Sequence, residues 1–164
     1  MKKQFVQTAL LALLLLGATL GLAITGWRTV DYYTRLNLPL HSVWFLLKAV
    51  AFAGMLVIGL CVFRLMQSFG KLGYLIPDSI TLLRSIGASL VVIALANSAF
   101  TIWQDLVIMP KLTTVPAFGN LLSTFAFDFF IESPAVLLLS MLVFLLAAFV
   151  ERALVVKSEN EAFI

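Results

Sequence analysis

Few side chains in this sequence could do chemistry, and most of them fall at one depth. Lys48 interrupts the apolar run from Ser42 to Met66. At about 1.5 Å per residue it lies roughly 6–9 Å inside that run's first end. Asp105 stands near the close of another apolar run, and Asp128 and Glu132 near the start of a third. Four residues apart, Asp128 and Glu132 share a helical face. Such a carboxylate pair binds a cation or exchanges protons, or simply marks the interfacial start of a span. Together Lys48, Asp105, Asp128 and Glu132 form a candidate charge cluster. A lysine at that depth can snorkel unaided. With carboxylates at the same level on two other segments, a partner is expected, Asp105 first and Glu132 second.

Other chemistries find little here. Asn97 and Gln104 either line a substrate path or hold helices together by hydrogen bonds. Cys61 is the one cysteine and His41 the one histidine. Neither makes a cysteine or multi-histidine metal site, and Cys61 can form no intrachain disulfide. There is no glycine-rich phosphate loop and no His-Glu-x-x-His. No enzyme activity, metal or cofactor is therefore expected.

The elements that position these residues are membrane spans. Of the 164 residues, 62% are hydrophobic and only 12% charged, against roughly 25% charged in an average soluble domain. Mean hydropathy is +1.09. That balance predicts an all-α membrane protein, a bundle of four transmembrane helices in a single domain covering residues 1–164. The spans are read at about 5–27, 42–66, 83–108 and 131–150. The first is too long for a signal-peptide apolar region and is expected to stay uncleaved. Gly17, Gly21 and Thr25 repeat at four-residue spacing, either a ridge for close helix approach or glycines tolerated against lipid. Ser85, Ser89, Asn97, Thr101 and Asp105 drift around one face of the third span, which should look inward.

Between the spans, Arg28 to His41 reads as the first loop. Gln67 to Arg84 reads as a central hairpin, with Gly70, Gly73 and Pro77 to turn the chain and Asp78 or Ser79 to cap the helix that follows. Phe118, Leu121, Leu122, Phe125 and Phe129 follow an amphipathic helical spacing, which is either an interfacial helix or the start of span four. Pro134 suits a first helical turn.

Sidedness follows from the bases. Lys2, Lys3, Arg64, Lys71, Arg84, Arg152 and Lys157 fall on the side of both termini and the central hairpin; Arg28, Arg35, Lys48 and Lys111 fall on the other. Positive residues stay cytoplasmic, so both termini are expected there, in a bacterial inner membrane. The net charge of +3 is read as topological, with no direct nucleic-acid binding. Lys71, Arg84, Glu159, Asn160 and Glu161 make the candidate cytoplasmic docking face.

Two stretches carry a resemblance. One is Ile76-Pro77-Asp78-Ser79 followed by Leu82-Leu83-Arg84-Ser85-Ile86-Gly87. The other is Lys157-Ser158-Glu159-Asn160-Glu161 closing on Ile164. In these, and in length and span count, the chain resembles the bacterial four-span membrane family known as domain of unknown function 2975. It departs at Ala162-Phe163, where the family more often has Leu-Thr. The resemblance implies an uncharacterised integral membrane protein. Members are often encoded near small helix-turn-helix regulators, which implies a regulatory partnership and supplies no catalytic residues. The expected function is non-enzymatic, through protein contacts with a cytoplasmic regulatory protein. The alternative is a small-molecule or ion transporter or channel subunit working as a homo-oligomer, since four short spans leave little room for a private pore.

Overall fold

The computed structural model describes residues 2–35, 39–72, 77–107, 126, 129–130 and 133–161. Four long helices dominate it: α1 (Lys2–Thr34), α2 (Pro39–Leu72), α3 (Pro77–Val107) and α4 (Pro134–Glu161). Each contains a stretch long and apolar enough to cross a membrane: Leu11–Thr34, Ser42–Ser68, Pro77–Gln104 and Pro134–Asn160. This is the architecture of a multi-pass membrane protein. Three helices begin on a proline, whose missing N–H and fixed φ suit the first turn.

The helices outrun their expected boundaries. Arg28, Asp31, Tyr32 and Tyr33 belong to α1 and His41 to α2, so the loop read from Arg28 to His41 is corrected to a much shorter connection. Polar residues did not end the helix because they are served within it. Arg35 Nε pairs with Asp31 Oδ1 at 3.2 Å, one turn back. Thr29 and Thr34 donate their hydroxyls to the carbonyls of Thr25 and Val30 at 2.8 and 2.7 Å. The helix cap is corrected too. α3 starts at Pro77, so Asp78 and Ser79 lie inside its first turn. There Asp78 complements the positive helix end, while the Ser79 hydroxyl is buried with no hydrogen-bond partner among the described residues. The amphipathic pattern from Phe118 to Phe129 lies almost wholly outside the described residues.

Among the described residues, α1 packs on α2, α2 on α3 and α3 on α4, with no contact between other pairs of these helices. The expected bundle is thus an open row of antiparallel neighbours. In hydrocarbon, burial of apolar area gives no advantage of helix over lipid, so close packing decides. Glycines supply it. Gly21 receives the Phe52 ring and Gly59 receives Leu15 between α1 and α2; Gly54 receives Ile93 between α2 and α3; Gly87 receives Phe144 between α3 and α4. Of the small residues read as a ridge, Gly21 and the buried Thr25 take part, whereas Gly17 faces open space.

Two buried clusters hold α2 to α3: Ala51, Ile93 and Ala96 in one, Cys61, Leu65 and Ile86 in the other, with Val143 of α4 packed against the second. The flanks are apolar and open. Leu13 is 73% exposed on α1 and Phe149 66% on α4, with Leu16, Leu20, Leu138 and Met141 similarly bare. Contiguous exposed apolar surface on this scale suits acyl chains and not water.

Candidate functional site

The residues capable of chemistry gather at two places along the row. The first is where the last turns of α3 lie beside the first turns of α2. Here Lys48 does not end in open lipid. Its ammonium stands 3.5 Å from the centroid of the Phe100 ring of α3. A cation over a ring face gains from the ring's quadrupole, about 0.5–1 kcal/mol when exposed and about 2 or more when desolvated. Trp44, one turn earlier on α2, stacks on the same Phe100 ring at 5.1 Å and meets Phe45 edge-on at 4.6 Å. Phe45 in turn touches Tyr32 of α1 at 5.0 Å. Aromatic contacts thus tie three helices at one level. The Trp44 Nε1 is buried and has no acceptor among the described residues.

Asp105 and Glu132 are the partners expected for Lys48. The Asp105 side chain, Asp128 and Glu132 lie outside the described residues. The ring that holds Lys48 was missed by the sequence reading, although a signal existed. Lys48 and Phe100 are equally distant in sequence from Tyr74, near the middle of the central turn, and a symmetric antiparallel hairpin brings such positions level.

The second place is the opposite end of α3. Arg84 Nη2 donates to Glu151 Oε2 at 2.9 Å, fixing the start of α3 to α4. Both side chains are at least half exposed, so the pair contributes about 0–1 kcal/mol and is weakened by salt. Beyond Glu151 the chain does not fray. α4 continues as helix to Glu161, carrying exposed Arg152, Lys157, Glu159 and Asn160, with Val155 and Val156 also exposed. Of the candidate docking residues, Arg84 is thus held by the base of this extension and Glu159 and Asn160 ride on it. The side chains of Lys71 and Glu161 lie outside the described residues.

Between the two ends, the Ser140 hydroxyl of α4 donates to the Gly87 carbonyl of α3 at 3.0 Å in a buried contact. Only the absence of a Cβ at Gly87 lets the helices come close enough for that bond. Beside it runs a groove of about 400 Å³ lined by Val91, Leu137, Ser140, Met141, Phe144 and Leu145. On α3, Asn97, Thr101 and Gln104 are half-buried, while Ser98 is fully buried and donates back to Ala94. Among the described residues no three metal-ligating side chains converge. Comparison with protein-family models, with curated proteins and with solved structures finds no match.

Proposed function

We propose that the chain is a non-enzymatic, multi-pass protein of the bacterial cytoplasmic membrane that acts through protein contacts, docking a cytoplasmic regulatory protein. The observation that supports this most is the helical extension of α4. Its residues from Arg152 to Asn160 are exposed apart from half-buried Leu154, and the Arg84–Glu151 pair anchors its base. A preformed helix loses less freedom on binding than a loose tail would. It presents Lys157, Glu159 and Asn160 next to Val155 and Val156, a mixed surface of the kind a soluble partner can read. The distribution of Lys and Arg supports a cytoplasmic position for this end. The short motifs behind the family resemblance fall at these same places, the start of α3 and the end of α4.

Truncation after Val156 tests the reading. The shortened protein is expected to insert and to keep its helix content, and to lose a specific soluble partner that cross-links to the full chain in native membranes. A partner recovered equally with the truncated protein would remove the tail from the reading. A second reading, an oligomeric transporter or channel subunit, draws on Asn97 and Gln104, which α3 leaves half-exposed. It requires self-association, so a monomeric mass in mild detergent and in native membranes would discard it.

A further inference from the structure

We propose that Lys48 and Trp44 form a binding site for the phosphate group of a phospholipid, seated where α2 crosses the headgroup level beside Phe100. Among the described residues the chemistry here is one-sided. Lys48 brings three N–H donors and a charge, and Trp44 brings an indole N–H that can only donate. Against them stand a ring face for the ammonium and, for the buried Nε1, no acceptor among the described residues. A water molecule would satisfy the indole and leave the charge. A phosphate answers both, because its oxygens only accept and it carries the opposite charge.

The spacing fits one such group. Trp44 and Lys48 are four residues apart on α2, hence on one face and about 6 Å apart along the axis. Both touch the same Phe100 ring. A phosphate whose oxygens accept at about 2.8 Å on either side spans that gap. Lys48 has a long flexible stem, so its ammonium can swing from the ring to a phosphate oxygen.

Position selects a lipid as the source. The apolar span of α2 opens at Ser42, two residues before Trp44 and six before Lys48. Tryptophan is enriched at headgroup level and lysine reaches it by snorkelling.

The test uses the full chain in detergent, with Trp27→Phe and Trp103→Phe introduced so that Trp44 is the only tryptophan reporting. Phosphatidylglycerol is expected to bind saturably and to shift Trp44 emission, and to be retained in native mass spectrometry. Diacylglycerol, with the same chains and no phosphate, is expected to do neither. Lys48→Met should weaken phosphatidylglycerol binding by about tenfold or more, the scale of a lost charge-assisted hydrogen bond. Lys48→Arg should largely restore it. Trp44→Phe, read by retention in mass spectrometry, keeps a ring and should weaken binding by roughly threefold, the scale of one neutral hydrogen bond; it carries the test should Lys48→Met fail to fold. Equal retention by the original chain, Lys48→Met and Trp44→Phe would overturn the site. An equal response to diacylglycerol, or to inorganic phosphate alone, would overturn the phospholipid assignment.

Discussion

Gly54→Ala adds one methyl group to α2 and is expected to separate two otherwise similar glycines. A Cβ at Gly54 would stand 2.8 Å from Ile93 Cγ1, 3.2 Å from its Cδ1 and 3.5 Å from the Ser89 carbonyl oxygen. Unstrained carbon contacts lie at about 3.5–4.0 Å. Ile93 cannot step aside. It is 5% exposed and packed with Ala51 and Ala96, and a β-branched side chain on a helix has essentially one χ1. Either α2 and α3 part or Ile93 leaves its rotamer. Overpacking of this kind costs about 1–3 kcal/mol, against a helix-propensity gain of about 1 kcal/mol for alanine over glycine. The net expectation is a loss of about 0–2 kcal/mol. At Gly17, where nothing lies within 4 Å of the added carbon, only the propensity gain remains. Unfolding in mixed detergent micelles, followed by helix circular dichroism, measures both. Ile93→Ala removes the two offending carbons, so Gly54→Ala should cost less in that background than in the original chain. Equal stability of the Gly54→Ala and Gly17→Ala proteins, or strictly additive losses in the double variant, would refute the argument.

Three further outcomes are expected. Ser140→Ala should lower unfolding stability by about 0.6 kcal/mol, and by no more than about 1.7, the range for hydrogen bonds between membrane helices; circular dichroism in the same micelles measures it. A double-mutant cycle of Lys48→Met with Phe100→Leu should show a coupling of about 0.5–2 kcal/mol for the cation over the ring, and the same cycle with Asp105→Asn checks the ion pair expected from sequence. Reporter fusions after Gly73 and Ile164 should read cytoplasmic and those after Asn37 and Phe118 periplasmic; a cytoplasmic reading at Asn37 would reverse the proposed orientation.

The spans were legible because apolar runs of this length have few other uses, and Pro134 marked a helix start that the structure reproduces. The ends were less legible. Arg28, Asp31 and Arg35 read as loop by polarity, yet a helix leaving hydrocarbon is free to carry charge, and the Asp31–Arg35 spacing was itself a helical signal. Composition marks the tail as a polar surface, and its helical form depends on continuity with α4 that composition does not display. The surroundings of Lys48 were the least legible. Its depth followed from counting along one segment, but its neighbour depends on the register of α2 against α3. That register is set by Gly54 meeting Ile93, a pairing no single segment contains. Charge marks Asp105 as a partner in the sequence, whereas nothing of that kind marks the ring of Phe100.

The row has a consequence for how the protein is made. Among the described residues every helix contact joins elements adjacent in the chain, so no segment waits for a distant partner before it can pack. Chains emerge from the N-terminus, and once α2 has followed α1 into the bilayer, α1 has met every described neighbour it will have. Each later helix then adds to a finished edge, and the helix it packs on is the one made just before it. Synthesis that stops early would leave a shorter row of correctly paired helices, whereas a ring-like bundle cut at the same point would lack the partner that closes it.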